Sequence, residues 1–314
     1  MDRQIPAPAS FGAVVSENRE EHIMTIDVNT RFITLIGMPL GQSFSARMQN
    51  AGYASANCNM LYFYTEADTD RLPDVISAVR NLTPFVGAAV TKPNKVEVMR
   101  YLDDFDPLCK KMGSSNTIVK TADGRLIGYN TDGYGALRSL KEELGELRGK
   151  TAFSFGAGGT ARSVCFELAN AGVKRIFLCS RSGSCEELSA ELNRFYPDVC
   201  IPIRAADKDS VAAALGETEI VLNLTGAGML GREDATCVDQ KFLKPAHVCF
   251  DATYNPTETR FLREAREVGC KTINGMDMLL YQGVRQIELW TGGACAPLEA
   301  MRRELANIMA EQAR

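Results

Sequence analysis

Thr151-Ala-Phe-Ser-Phe155 runs straight into Gly156-Ala157-Gly158-Gly159-Thr160-Ala161, and an alanine-rich stretch follows. Gly156, Gly158 and Ala161 fit the pattern G-x-G-x-x-G/A, whose glycines permit a tight turn and let backbone amides approach a pyrophosphate at a helix amino terminus. The pattern alone can mark any strand-to-helix turn; its place after a strand and before a helix points to a dinucleotide. Further strands are expected at 175–179, 220–222 and 248–250, with helices at 185–194, 208–214 and 258–268, a mononucleotide-binding alternation. At the end of the second strand an acid would bind a free ribose hydroxyl, but Ser180-Arg181-Ser182 stands there. A guanidinium suits a 2′-phosphate, so NADP is favoured over NAD, although Cys185 occupies the place where a second basic residue would strengthen the case.

Upstream, apolar or β-branched runs at 32–36, 60–65, 85–90 and 117–119 alternate with helical stretches, which implies parallel strands joined by helical crossovers. Downstream, 276–290 has apolar residues at helical spacing, and Pro297 opens a last amphipathic helix with Glu299, Arg302, Arg303 and Glu304 on solvated positions. Residues 1–29 mix Pro, Ser, Glu and Asn without periodicity and read as a tail, within which Met24 is a possible alternative start. The expected fold is therefore α/β in two domains: an α/β substrate domain over 30–133 and a Rossmann-type dinucleotide-binding domain over 134–273. Helices over 274–314 are expected to return to the first domain, with a cleft between the two.

Composition narrows the classes. At 314 residues the chain is long for one hydrophobic core, and a net charge of -4 gives no footprint for nucleic acid or an anionic membrane. No apolar run approaches the roughly 20 residues that cross a bilayer, nor is there a basic, apolar and cleavage-site series at the amino terminus, so the chain reads as cytoplasmic. Ten cysteines without a C-x-x-C pair read as buried thiols, and two histidines, His22 and His247, argue against a metal site or a Ser-His triad.

Three polar motifs precede the glycine turn: Val90-Thr-Lys-Pro-Asn-Lys95, Ser115-Asn116-Thr117 and Gly128-Tyr-Asn-Thr-Asp132-Gly133. Oxidising an alcohol needs a group to take the hydroxyl proton as hydride leaves, and Lys95 with Asp132 can supply it as a coupled pair. Desolvation lowers a lysine's pKa while a nearby carboxylate opposes that shift and fixes the ammonium. Taken singly, Asp132 can be a helix cap bonding the Tyr134 or Gly135 amide, and Lys95 a solvated lysine. Ser43, Ser45, Thr91, Asn116, Asn130 and Gln282 are neutral groups able to grip a polyhydroxylated ring and its carboxylate, though Ser43 can equally cap a helix and Asn116 close a turn.

With Asn223-Leu-Thr225, Gly228-Met229, Tyr254-Asn-Pro256 and Asn274-Gly275 leading to Tyr281-Gln282, these motifs make the chain resemble shikimate and quinate/shikimate dehydrogenases from about Phe32 to the carboxyl terminus. The resemblance implies Lys95 and Asp132 as the catalytic pair, and Ser43, Ser45, Thr91, Asn116, Gln282 and Tyr254 around the substrate. It adds Thr225 and Gly275 to the cofactor set of 156–161, Ser180 and Arg181. The reaction implied is reversible NADP-linked reduction of 3-dehydroshikimate to shikimate by a monomer or homodimer. Four departures stand out: Ala46 replaces the proline usual after Ser45, which is expected to loosen the loop that contacts the carboxylate; Asp277 replaces a usual glycine and is expected to put a charge near the cofactor cleft; Lys-Pro-Asn-Lys is closer to the branch that also accepts quinate; and the single Arg181 differs from the fuller basic pattern of strict NADP enzymes. Alternatives are a quinate/shikimate dehydrogenase using NAD, a divergent paralogue acting on another ring alcohol, and a ligand sensor that keeps the fold without catalysis.

Overall fold

The computed structural model describes residues 26–293 and 297–312. Most of the expected tail lies outside the described residues, with His22 and Met24, and so does Cys295.

The first sheet is built from β1 (Arg31–Gly37), α1 (Ser45–Ser55), β2 (Met60–Glu66), α2 (Leu72–Arg80), β3 (Phe85–Val90), β4 (Asp104–Phe105), α3 (Pro107–Met112), β5 (Thr117–Lys120) and β6 (Leu126–Tyr129), in strand order β2-β1-β3-β5-β6-β4. β1 pairs in parallel with β2 and β3, as alternation with helices requires. β5, however, runs antiparallel to β3 and to β6, which corrects the expectation of a wholly parallel sheet. The cause is local. Between β5 and β6 the chain has room only for a tight turn, in which Gly124 adopts φ +85° and donates its N–H to Thr121 O at 2.9 Å. This hairpin sets Thr117 opposite Tyr129 and so brings Asn116 beside the start of α4 (Asp132–Leu144).

The second sheet follows with β7 (Thr151–Phe155), α5 (Gly159–Asn170), β8 (Arg175–Ser180), α6 (Ser184–Phe195), β9 (Cys200–Arg204), α7 (Lys208–Gly216), β10 (Ile220–Asn223), β11 (Val248–Asp251), α8 (Arg260–Val268) and β12 (Lys271–Ile273). Its order is β12-β11-β10-β7-β8-β9 and every pairing is parallel. The strand order reverses between β7 and β10, so the glycine turn after β7 opens at the switch point where such sheets take ligands. β9 and β12 were not expected from the sequence. β9 contains Pro202, tolerated because this strand lies at the sheet edge, where a missing N–H costs no ladder bond. α8 starts two residues later than expected because Thr259 is its cap, accepting from Leu262 N.

Two helices complete the chain, α9 (Gly275–Thr291) and α10 (Leu298–Gln312). α9 is capped by Asn274, whose side chain accepts from Met276 N, and ends at Gly292 with φ +65°. Its Leu280, Tyr281, Val284, Ile287 and Trp290 share a core with Met48, Tyr53 and Tyr62, and Trp290 Nε1 donates to Ile118 O at 2.9 Å. The chain thus returns from the second sheet to the first, as expected. Of the residues expected on solvated positions of α10, Glu304 is half-buried in an ion pair with Arg47 of α1.

Candidate active site

Between the two sheets lies a cavity of about 680 Å3, bordered by Lys95, Asp132 and Asn116 on one side and by Thr160, Tyr254 and Gly275 on the other. β3 is buried throughout and delivers Thr91 to the cavity wall, where its N–H is held by Ile36 O at 2.9 Å. In the loop beyond, buried Asn94 donates to Ala67 O at 2.8 Å, anchoring the chain so that the next side chain reaches into the crevice. That side chain is Lys95, whose Nζ donates to Asp132 Oδ2 at 2.6 Å.

Asp132 is the first residue of α4, where a negative charge is favoured by the helix dipole. Its carboxylate does not cap the helix: Oδ2 takes Lys95 and Oδ1 accepts from Asn116 Nδ2 at 2.8 Å. The amide oxygen of Asn116 in turn accepts from Thr131 N at 2.7 Å and Thr117 Oγ1 at 2.8 Å. Gln286 of α9 locks the set by donating to Thr117 Oγ1 at 3.0 Å. Behind Gly133, on α5, Glu167 is half-buried, and its desolvation, with the Asp106 charge adding and Lys141 opposing, pushes its carboxyl up to about 7.

Ser43, Ser45, Gln282 and Tyr254 border the same cavity. Ser43 does not cap α1, which starts without a side-chain cap; its Oγ accepts from Ser45 N at 3.3 Å and its carbonyl from Tyr64 Oη at 2.7 Å. The departure at Ala46 acquires a structural reason. Its N–H donates to Tyr64 Oη at 3.2 Å, a bond a proline there would lack, so the serine loop is tied to β2 rather than loosened. Gln282 is held by Leu279 O at 2.9 Å, and the Tyr254 ring packs 5.2 Å from Phe44 while burial pushes its hydroxyl pKa up. Asn130, by contrast, spends its amide on Ser114 O and the Asp132 N–H, both structural bonds.

At the nucleotide end, Gly156 takes φ +104°, and a Cβ there would stand 2.8 Å from Leu224 O. Gly158 is the N-cap of α5 with no side-chain cap, and a Cβ on either Gly158 or Gly159 would meet nothing within 4 Å. This is an open cradle ahead of a helix amino terminus, and it fits a pyrophosphate, with Ala157 in the turn and buried Ala161 packing α5 onto its sheet. Thr160 and Gly275 border the large cavity; Gly156 to Gly159, Ser180, Arg181 and Thr225 do not. At Gly275 a Cβ would fall 2.3 Å from Ala252 O, so only glycine lets α9 begin against the end of β11. Thr225 is exposed, its Oγ1 donating to Asn223 Oδ1 at 2.7 Å.

Ser180 Oγ is occupied within its own turn, donating to Ser182 O and accepting from Cys185 N at 3.1 Å. Arg181 is exposed and has no ion-pair partner among the described residues. Cys185 is wholly buried, its thiol 3.5 Å from Ile203 O, but Arg204, at the end of the unexpected β9, places Nη2 3.8 Å from the Cβ position of Gly183. Arg204 also pairs with Glu186. Asp277 was expected to put a charge near the cofactor cleft. Instead its carboxylate accepts from Arg302 at 2.6 Å and does not border the cavity. Arg204, Tyr62 and Gln286 were not singled out in the sequence, although Gln286 follows Gln282 by one helical turn and so shares its face.

Residues 35–118 match the shikimate dehydrogenase substrate binding domain and residues 275–306 the shikimate 5'-dehydrogenase C-terminal domain. The chain is 39% identical over 274 residues to a shikimate dehydrogenase (NADP(+)) of Symbiobacterium thermophilum, covering 87% of this chain and 92% of that one. Its structure is similar to that of shikimate 5-dehydrogenase from Listeria monocytogenes in complex with shikimate and NAD, with TM-score 0.84, 33% identity, and coverage of 89% and 98% of the two chains. It is also similar to a quinate dehydrogenase from Corynebacterium glutamicum in complex with NAD, with TM-score 0.78, 26% identity, and coverage of 88% and 99%. Among the described residues no helix is long and apolar enough to cross a membrane.

Proposed function

Because the chain belongs to the shikimate dehydrogenase family, we propose that it interconverts 3-dehydroshikimate and shikimate with NADP, and that Lys95 and Asp132 handle the proton. One observation carries this reading: a lysine ammonium and an aspartate meet at 2.6 Å in the crevice between the sheets, with both carboxylate oxygens engaged. Held at the glycine turn of 156–161, the dinucleotide would supply the hydride acceptor for oxidation at the carbinol carbon and the hydride donor for the reverse reduction. In oxidation Lys95 as the free amine takes the hydroxyl proton as the O–H bond breaks and becomes the ammonium paired with Asp132; in reduction that ammonium gives the proton to the oxygen. Asn116 holds the carboxylate plane fixed, so Lys95 is aimed before any ligand arrives. An intact pair of this kind disfavours the sensor alternative.

In this reading Ser43, Ser45, Thr91, Asn116, Gln282 and Tyr254 hold the ring and its carboxylate. Residues 156–161 cradle the pyrophosphate, Thr225 and Gly275 flank the dinucleotide, and Ser180 and Arg181 meet the 2′-phosphate with Arg204 beside them. We assign 30–133 to substrate binding, 134–273 to the dinucleotide and 274–314 to closing the first unit. We place the enzyme in the cytoplasm, a reading supported by nine free thiols among the described residues.

Quinate is a second substrate to be weighed, because Lys92-Pro93-Asn94-Lys95 resembles the branch that also accepts quinate and the chain is similar in structure to a quinate dehydrogenase. A matrix of shikimate and quinate against NADP and NAD decides both questions. Highest kcat/KM for shikimate with NADP is expected. Turnover of another ring alcohol that is higher by orders of magnitude would overturn the assignment.

A further inference from the structure

At the floor of the cavity, on β2, stands Tyr62, 1% exposed, with a hydroxyl that has no hydrogen-bond partner among the described residues. A buried hydroxyl without a partner is costly, and native proteins retain few of them. The ring cannot turn away to find one, since it is wedged in the core of the first sheet, 6.1 Å from the Trp290 ring. The apolar walls at Leu35 and Ala89 offer no side-chain acceptor, and the Ser45 hydroxyl lies beside the phenol without meeting it in bonding geometry. Burial also keeps the phenol protonated, so at any working pH it is a donor waiting for an acceptor.

We propose that Tyr62 is a specificity-determining residue of this pocket, donating its Oη–H to a carboxylate oxygen of the bound ring acid alongside the Ser43 and Ser45 hydroxyls. The inference rests on the reading of the cavity as a ring-acid site and deepens it by naming which group the floor recognises. A carboxylate is the acceptor that best matches several neutral donors at one end, because each bond to an ionised oxygen is stronger than its neutral counterpart. The proton pair at Lys95 lies on a different element and keeps the opposite task. Tyr62 touches the group that does not react, so its bond is equally strong in the ground state and the transition state.

The test is Tyr62→Phe, which removes one oxygen and keeps the ring. With shikimate, KM is expected to rise roughly 10-fold with kcat within about 2-fold, the mark of lost uniform binding. Wild-type preference for the acid over its methyl ester should shrink by a similar factor, which a merely structural tyrosine would not produce. The thermal midpoint of the ligand-free variant should be unchanged or higher, because the deleted hydroxyl has no partner to lose. Unchanged KM and unchanged acid-to-ester preference, with wild-type turnover intact, overturn the inference alone. Absence of wild-type turnover on either shikimate or quinate overturns the functional reading beneath it.

Discussion

At the Lys95 end of the crevice both oxygens of Asp132 are engaged within the protein, by Lys95 and by Asn116, whereas at the glycine-turn end α5 starts without a side-chain cap and Arg181 has no ion-pair partner among the described residues. The difference follows the work each end has to do. Proton transfer demands that the reacting groups be aimed in advance, so their hydrogen bonds are closed among themselves. Phosphate binding demands donors with spare capacity, so the amides and the guanidinium are left for the ligand. Substitutions at the closed end should therefore damage turnover, and those at the open end should damage affinity and cofactor choice.

The largest effect should come from the closed end. Lys95→Ala is expected to lower kcat by about 10²-fold or more with KM less changed, and Asp132→Asn to follow it, as steady-state kinetics would show. Near-normal turnover in either variant removes that residue from the chemistry. At the open end, Arg181→Ala should raise KM for NADP by roughly 10-fold while leaving KM for NAD within about 2-fold, since only the former presents a 2′-phosphate. An equal change for both cofactors would relocate phosphate recognition, with Arg204 the next residue to replace.

Behind the closed end, Glu167 makes a prediction about stability. Its folded pKa of about 7 stands above the ordinary 4.5, so the folded state holds the proton more tightly than the unfolded one. Its contribution is full below 4.5 and is lost as pH rises through 7. Glu167→Gln should flatten the pH dependence between about pH 5 and 8 and stabilise the protein at pH 8 by on the order of 3 kcal/mol. Urea midpoints across that range measure it; parallel curves for the two proteins would show that Glu167 is not the titrating group. The smallest effect belongs to Asp277→Ala. Its exposed pair with Arg302 contributes about 0–1 kcal/mol and its charge lies off the cavity wall, so KM for NADP should stay within about 2-fold. A larger shift would return Asp277 to the cofactor cleft.

Much of the second sheet is legible in the chain because its strands are apolar and buried and its turn is marked by glycine. The two edge strands escaped because β9 is interrupted by Pro202 and β12 has only three residues. In the first sheet the β5–β6 hairpin escaped, since four-residue strands carry too little pattern to reveal direction. That hairpin brings Asn116 onto Asp132 across 16 residues of sequence, so the individual motifs could be named while their closure into one network could not. Tyr62 and Gln286 were hidden for a different reason: each sits in an apolar run whose periodicity speaks for core. Arg204 was hidden with β9 itself.

The most direct test of the central claim is chemical rescue of Lys95→Ala in NADP-linked shikimate oxidation. If the Lys95 amine carries the proton, adding small primary amines should restore turnover in proportion to their concentration and with a dependence on amine pKa. A variant that turns over like wild type without any amine would contradict the account.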